Sequence, residues 1–404
     1  MRVLHIIPSL DKEDGGPSVA LPIMAEAVAD LGVHVDVATT LTKQNAAVLG
    51  IPFGVVQHTK GYGTIYFPRQ TRFYKISFPL VRWLRKHARE YDLIHIHGLF
   101  SFAPVVAGWC AKLCKIPFII RPLGVLQSWG MKNRKPFLKM ASFSLIERPL
   151  LESANAIHYT SQMEAEEASR LKCQSDDIVI PLAVPAVSPT LLNPELFYNS
   201  YPHTKKRKII LFLSRIDTKK GLELLIDAFA TMPYSHERPV LVIAGSGNDD
   251  YVAGLKLRCS KLNLADDLIW TGHLDSERKL SALTAAHIFV LPSQAENFAI
   301  ALLEAMNVGK ACITTPNVAL ASEPVTKGCL CVVPEDSAQW AQAMAELLLH
   351  DNVREMLGRK AQLCVKQYYS VHAMARSLLH LYRNITKHHN ENGMGSTICE
   401  HADC

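Results

Sequence analysis

Short apolar runs alternate along most of the chain with longer stretches in which apolar residues recur at helical spacing. The short runs predict strands at residues 2–7, 33–39, 92–97, 117–121, 156–159, 209–214, 240–244, 268–271, 288–291, 311–314 and 329–333. The longer stretches predict helices, among them 18–31, 222–231, 277–286 and 338–349. Because the two alternate throughout, the pattern predicts an α/β fold with parallel sheets covered on both faces.

Prolines interrupt this alternation once. Five of them fall between residues 181 and 202, just before the basic run 205–208, and proline breaks helices. We therefore expect a linker at 186–206 between two doubly wound, Rossmann-like domains, 1–185 and 207–370. A last helix is expected at 371–387, and a polar, disordered tail at 388–404. Ligands of such sheets bind beyond the carboxyl ends of the strands, so a cleft between the domains is the expected site.

Composition narrows the class of protein. With 404 residues, 49% apolar and 20% charged, the chain is long enough for two packed cores and is not intrinsically disordered. No apolar run reaches the roughly 18 residues that span a bilayer, and the amino terminus does not resemble a signal peptide. The ten cysteines are scattered, which favours reduced thiols in a cytosolic protein.

The positive charge is concentrated in one region. Residues 51–150 contain 16 lysines and arginines against three acidic residues, which indicates an anionic partner. Basic and aromatic residues are interleaved at 67–89 and 129–135. This mixture suits an anionic membrane surface or a pyrophosphate-bearing acceptor, although a solvated helix face is also compatible with it. Nucleic acid is the least favoured partner.

The segment 293–306 places Glu296 and Glu304 directly after a predicted strand. Glu304 lies in a helix whose neighbouring residues are apolar, where a carboxylate is costly unless it is paired. The helix N-terminus offers free N–H groups that suit a phosphate. The segment either grips a phosphorylated ligand and its hydroxyls, or is an ordinary helix with a capping and a solvated glutamate.

Three further segments follow predicted strands. Arg215 and Lys220 after the strand 209–214 can neutralise a diphosphate, or form a basic surface turn. Gly15 and Gly16 permit close approach of a ligand, or form a plain loop. His97, followed by Gly98, can bind or deprotonate a hydroxyl, or be a structural histidine.

Several cofactor motifs are missing from the sequence. It contains no G-x-G-x-x-G fingerprint, no Walker A motif and no Asp-x-Asp pair that would hold a nucleotide-bound metal. It also lacks a zinc-ligand spacing. We therefore expect neither a resident metal nor a resident cofactor.

Taken in order, these motifs resemble those of the retaining, nucleotide-sugar-dependent glycosyltransferases of family 4, which have the two-domain GT-B fold. Glu296 and Glu304 have seven residues between them and precede Ala305-Met306, and Arg215 is followed by Lys220-Gly221. Gly245-Ser246-Gly247 and Gly272-His273-Leu274 follow in the family's order. The resemblance extends over residues 1–387.

The resemblance implies a role for each residue. Arg215, Lys220 and Glu296 form the catalytic set, with the two cations on the leaving diphosphate and Glu296 on the donor sugar. The other donor-side residues are Gly16, Gly245, Gly272, His273, Leu274, Asn297, Phe298, Ala299 and Glu304. The acceptor-side residues are Gly15, His97 and Gly98. The resemblance also implies that the final helix crosses back to the first domain.

Two positions depart from the family pattern. Ala299 stands where the family commonly has glycine, and Leu123 stands where many members have histidine or arginine. The segment from Pro122 onward resembles members that build bacterial surface polysaccharides.

The resulting expectation is a metal-independent hexosyltransferase. It uses a UDP- or GDP-linked sugar and a lipid-linked or polysaccharide acceptor in exopolysaccharide or lipopolysaccharide synthesis. It works in the cytoplasm, peripherally at the inner face of the membrane. The alternatives are a nucleotide-sugar 2-epimerase of the same fold and a non-catalytic sugar-nucleotide sensor.

Overall fold

The structure is a computed structural model that describes residues 1–11, 16–59, 61–127, 136–171, 173, 176–234 and 237–398. The chain forms two compact units. The first contains Met1–Ala183 and Val371–Cys404, and the second contains Val184–Ser370. Each unit is built around its own largely parallel sheet, which confirms the predicted α/β class.

The first unit has an eight-stranded sheet with the order β3-β4-β2-β1-β5-β6-β7-β8. Its strands are β1 (Arg2–Ile6), β2 (His34–Leu41), β3 (Val56–Thr59), β4 (Tyr62–Pro68), β5 (Leu93–His97), β6 (Phe118–Arg121), β7 (Ala156–Tyr159) and β8 (Asp177–Val179). All neighbouring strands run parallel except β3 and β4, which form an antiparallel pair at one edge. The apolar pattern did not predict β3, β4 and β8, because these strands are short or interrupted by polar residues and glycine.

The helices of the first unit are Gly16–Ala29, Lys43–Leu49, Phe78–His87, Phe102–Cys114, Pro136–Ser142, Arg148–Leu151, Gln162–Ser169 and Val371–Ile398. A 3₁₀ turn at Ala88–Glu90 and a π-helical turn at Phe143–Glu147 join some of them. The two faces of the sheet differ in polarity. One carries the apolar core, with Leu4, Ile94 and Ile120, whereas alternation turns His5 and His95 to the other face.

The second unit has a six-stranded parallel sheet with the order β11-β10-β9-β12-β13-β14. Its strands are β9 (Ile209–Leu213), β10 (Val240–Ala244), β11 (Leu268–Gly272), β12 (Ile288–Leu291), β13 (Ala311–Thr314) and β14 (Cys331–Val332). Its helices are Glu195–Ser200, Leu222–Thr231, Asp249–Lys261, Ser276–Ala285, Ile300–Asn307, Ala319–Ser322, Ser337–Leu349 and Asp351–Tyr368. The central strands are fully buried, as expected of a sheet covered on both faces.

Two predicted boundaries are corrected by the structure. The segment 186–206, expected to be a linker, belongs to the second unit, where the Phe197 N–H donates to the Ser281 hydroxyl at 3.0 Å. The final helix continues past residue 387 to Ile398, and His389 on it hydrogen-bonds the Lys115 carbonyl at 2.9 Å. These contacts join residues that are 84 and 274 positions apart, so no local pattern predicts them. The predicted tail at 399–404 lies outside the described residues.

The described cysteines are all free thiols. No helix in the described part of the chain is both long enough and apolar enough to cross a bilayer.

Candidate active site

Most of the predicted donor-side residues follow the carboxyl ends of strands in the second sheet. Arg215 and Lys220 follow β9, Gly245 follows β10, and Glu296 follows β12. Strand order reverses between β9 and β12, since the chain adds β10 and β11 on one side and β13 and β14 on the other. Ligands of doubly wound sheets bind at such a switch point.

Close backbone packing holds these loops together. A Cβ atom on Gly221 would overlap the carbonyl oxygen of Pro292, and one on Gly245 would overlap that of Ser214. The Gln294 N–H donates to the Lys219 carbonyl at 2.8 Å. Glycine is therefore required where the β9 loop meets its neighbours, and the β9 and β12 loops form one surface.

Two of the three predicted catalytic residues are ion-paired with each other. The Lys220 ammonium donates to Oε2 of Glu296, and their side chains are only 7% and 16% exposed. Arg215 lies on the same loop as Lys220 and is exposed. The partly buried ion pair holds both groups in position. An anionic ligand can replace Glu296 as the partner of Lys220.

Glu304 is paired as well, with a residue that the sequence analysis missed. The Lys279 ammonium donates to Oε1 of Glu304, and both side chains are about a quarter exposed. Both residues line a cavity of about 200 Å³, together with apolar side chains such as Leu280 and Val308. Lys279 gave no sequence signal because it lies in an ordinary amphipathic helix, 25 residues before Glu304.

The chain enters the helix Ile300–Asn307 through a left-handed residue. Ala299, its N-cap, has φ 60° and ψ 62°, a conformation that favours glycine. A residue without a Cβ atom therefore suits this position better, which agrees with the glycine that the family resemblance implies. Phe298 and Ala299 are buried, whereas Asn297 is half-buried.

The remaining donor-side residues are less enclosed. Gly272 ends β11 in a left-handed conformation, with φ 68°, and is exposed together with His273. Leu274 beside them is half-buried. None of the three lines the 200 Å³ cavity. Gly16 begins the helix Gly16–Ala29 of the first unit and is exposed, and Gly15 lies outside the described residues.

His97, predicted on the acceptor side, is fully buried at the end of β5. Its Nε2 lies 2.9 Å from Nδ1 of His5, and the ring of His95 lies beside it, tilted by 32°, with the ring centroids 4.3 Å apart. Burial, together with His5 and the Arg121 guanidinium, lowers the pKa of His97 well below that of a free histidine. Gly98 follows with φ 94° and packs against Leu123, which is itself left-handed.

Two buried carboxylates anchor the loops around His97. Glu164 accepts from the Gly124 N–H at 2.6 Å and from the Thr160 N–H at 2.8 Å. Glu147, in the π-helical turn, accepts from the Phe100 N–H at 3.1 Å, and burial raises its pKa to about 7. In the sequence, Glu147 is only one of three acidic residues in a basic region, and its burial depends on tertiary packing that no local pattern shows.

Within the described part of the chain, three potential metal ligands, His5, His95 and His97, lie close together. Their nearest ring nitrogens lie within 4.8 Å of one another, and all three residues are buried. Neutral imidazoles suit zinc, but the buried Arg121 guanidinium beside them opposes a cation.

Known protein families match both units of the chain. The family described as "Glycosyl transferase 4-like domain" matches residues 15–183, and "Glycosyl transferases group 1" matches residues 195–363. The chain belongs to the family 4 glycosyltransferases with the GT-B fold.

Relatives of this glycosyltransferase act on different acceptors. It is 23% identical over 399 residues to the D-inositol 3-phosphate glycosyltransferase of Corynebacterium jeikeium, a match that covers 92% of each chain. It is 25% identical over 239 residues to the alpha-monoglucosyldiacylglycerol synthase of Streptococcus pneumoniae, covering 57% of this chain and 53% of that one. Among solved structures, Anabaena HepE in complex with UDP and glucose has a TM-score of 0.73 at 18% identity, covering 95% of this chain and 100% of that one.

Proposed function

We propose that this glycosyltransferase moves a hexose-type sugar, with retention and without a metal, from a UDP- or GDP-sugar to a lipid-linked or polysaccharide acceptor. The observation that carries the proposal is the ion pair between Lys220 and Glu296, on adjoining loops at the switch point of the second sheet. It sets a cation and an acid side by side, as a departing diphosphate and a sugar hydroxyl require.

The donor diphosphate is assigned to Arg215 and Lys220. As the glycosidic bond breaks, negative charge grows on the leaving phosphate, and fixed cations stabilise it. Lys220 is nine-tenths buried, so its charge acts in a medium of lower polarity than water. Glu296, released from Lys220 by the phosphate, accepts from a sugar hydroxyl, and the N–H groups at Asn297 and Phe298 contact sugar or phosphate.

The donor nucleoside is assigned to the part of the site formed by Glu304 on the helix Ile300–Asn307. Its carboxylate accepts hydrogen bonds from the two ribose hydroxyls once Lys279 gives way or turns to the phosphate. The apolar wall of the 200 Å³ cavity, with Leu280 and Val308, suits the flat face of a base. Gly272, His273 and Leu274 contact the outer edge of that base.

The acceptor is assigned to the first unit and to an anionic membrane surface. On the helix Phe78–His87, Leu80 and Leu84 are buried, whereas Arg82, Arg85 and Lys86 are exposed. Phe73 and Phe78 nearby are also largely exposed. Basic residues beside exposed aromatic ones suit the boundary between anionic headgroups and acyl chains. The proposal also includes cytoplasmic work at the inner membrane face and a place in surface-polysaccharide synthesis.

Donor binding is the first test. Thermal shift with UDP-, GDP- and ADP-sugars is expected to identify one preferred base. Glu304→Gln is expected to weaken the binding of that donor by about ten- to a hundredfold, since charged hydrogen bonds contribute about 1.5–3 kcal/mol. Glu277→Gln, an exposed glutamate on the helix Ser276–Ala285, is the matched control. Equal affinities in the two variants would remove the ribose assignment.

Turnover is the second test. The selected donor is incubated with a bacterial lipid extract and, separately, with no acceptor. Release of nucleoside diphosphate together with labelled lipid or polysaccharide supports transfer. Conversion of the sugar without acceptor identifies an epimerase, and donor binding without any turnover identifies a sensor. Either of the last two results contradicts the proposal.

A further inference from the structure

Four buried histidines share one face of the first sheet. His5 on β1 is the register partner of His95 on β5, and His97 follows two residues later on the same side. His158 on β7 lies on this face too, with its Nδ1 3.3 Å from Nε2 of His95. Tyr382 of the final helix covers them, and all five side chains are fully buried.

A backbone carbonyl fixes one end of this cluster. Nε2 of His158 lies 2.8 Å from the Ile180 carbonyl oxygen, which can only accept a hydrogen bond. Nε2 of His158 therefore carries a proton. Burial lowers the pKa of His158 to about 3, so the ring is neutral at pH 7 and its Nδ1 is a bare lone pair.

The next two links follow from this assignment. Since His158 Nδ1 can only accept, Nε2 of His95 must carry the proton between them. Burial and the neighbouring histidines lower the pKa of His95 as well, so its Nδ1 is also a bare lone pair. The Tyr382 hydroxyl, 2.8 Å away, must then donate to it.

The remaining links lead to His97. With its proton committed to His95, the Tyr382 oxygen accepts from Nε2 of His5, 3.4 Å away. Burial lowers the pKa of His5 to about 3, which leaves its Nδ1 as an acceptor. His97 must therefore donate from Nε2, at 2.9 Å. Its Nδ1 is buried and makes no hydrogen bond within the described part of the chain.

We propose that this chain of four histidines and Tyr382 fixes His97 with its proton on Nε2 and its lone pair on Nδ1, so that His97 offers the acceptor side a neutral hydrogen-bond acceptor. The inference rests on the proposed function in placing His97 on the acceptor side. Nδ1 is enclosed in this structure, so an acceptor hydroxyl, the donor that every sugar acceptor carries, reaches it only when the side chains over it move. His5, His95, His158 and Tyr382 are positioning residues, because they act on the substrate only through His97.

A positive charge beside the histidine chain determines which role His97 can have. The Arg121 guanidinium, buried on the neighbouring strand in register with His97, opposes a second proton on any of these rings. His97 is therefore suited to accepting a hydrogen bond from a hydroxyl and so orienting it. It is not suited to taking up the hydroxyl proton and retaining it. The far end of the chain is a carbonyl, which cannot take up a proton, so the chain orients His97 and does not conduct protons to water.

Nitrogen NMR of the full chain, labelled at its 17 histidines, tests the assignment. The chemical shifts of the two ring nitrogens distinguish the two neutral tautomers from the charged ring, and single His→Gln variants assign the signals. At pH 7 we expect His97, His5, His95 and His158 to be neutral and protonated on Nε2. A proton on Nδ1 of His97, or a charged His97, overturns the proposal.

Tyr382→Phe removes one oxygen from the middle of the chain. The signals of His5 and His97 are expected to lose their single tautomer, and transfer to fall about three- to tenfold through the acceptor KM, as for one lost hydrogen bond. Tyr159→Phe, a buried tyrosine on the apolar face of the same sheet, is the control. Unchanged His97 signals in Tyr382→Phe would refute the positioning role. If this variant does not fold, the unsubstituted chain still decides the tautomers.

Zinc titration distinguishes a hydrogen-bonded chain of histidines from a metal site. Stoichiometric zinc binding that His5→Gln abolishes would contradict the proton assignment, because a metal displaces the shared protons. Absence of binding supports it. These spectra need no turnover, so failure of the proposed function and failure of this inference are distinguishable.

Discussion

Gly221 lies where the loop that carries Lys220 packs against the loop that carries Glu296. Its replacement by alanine measures how tightly the two loops are packed. Gly221 has φ 68°, and a Cβ atom there overlaps the carbonyl oxygen of Pro292. Gly272 also has φ 68°, but a Cβ atom there has nothing within 4 Å. The two Gly→Ala variants therefore share the backbone strain and differ in the overlap.

The expected costs follow from these two terms. An L-residue in the left-handed region costs about 1–2 kcal/mol, and the stiffer unfolded chain of alanine returns about 0.4–1 kcal/mol. Gly272→Ala should therefore lower the free energy of unfolding by about 1 kcal/mol. In Gly221→Ala the loops must also separate by about 1 Å, and overpacking of this kind adds about 1–3 kcal/mol. The total is about 2–4 kcal/mol.

Scanning calorimetry is the appropriate assay, because a chain of two units need not unfold in one step. The transition of the second unit should shift down about two to four times as far in Gly221→Ala as in Gly272→Ala. Gly221→Ala should also weaken donor binding, since Lys220 and Glu296 move apart. Equal shifts in the two variants would show that the loops are not packed as described.

Ala299→Gly should raise the free energy of unfolding by about 0.5–1 kcal/mol, because glycine removes the left-handed strain at φ 60°, and a lower melting temperature would contradict this. Burial raises the pKa of Glu147 to about 7, from about 4.5 in an exposed chain, so folding favours its protonated form. Its stabilising contribution is therefore present below about pH 4.5 and is lost as the pH rises through 7. Urea unfolding at about pH 5 and pH 8 should show this loss, on the order of 2 kcal/mol, and Glu147→Gln should remove it; an unchanged pH slope in the variant would disprove the assignment. Replacing Arg82, Arg85, Lys86 and Arg89 by glutamine should release the protein from anionic vesicles, since each contributes about 1 kcal/mol near the surface. Removing the same charge at Lys256, Lys261, Arg359 and Lys360 is the control, and equal sedimentation of both variants with vesicles argues against the membrane surface.

The local pattern of apolar and polar residues was sufficient to predict much of the fold. Runs of β-branched and apolar residues located the central strands of both sheets, since burial on both faces leaves a continuous apolar signature. It failed for β3 and β4, where polar residues and glycine weaken the period, and for the end of the final helix, which a tertiary contact of His389 supports. The spacing of Arg215, Lys220, Glu296 and Glu304 indicated a phosphate and hydroxyl site, and their roles toward a donor stay predictions.

The sequence by itself determined which residues face which side of each strand, because that depends only on alternation along the chain. Only the tertiary structure decided which strands became neighbours. Lys220 meets Glu296 because β9 lies beside β12, and the histidine chain exists because β1, β5 and β7 turn the same face toward Tyr382. The partners in these contacts are 76 and 287 residues apart, and no local periodicity encodes a contact over such distances.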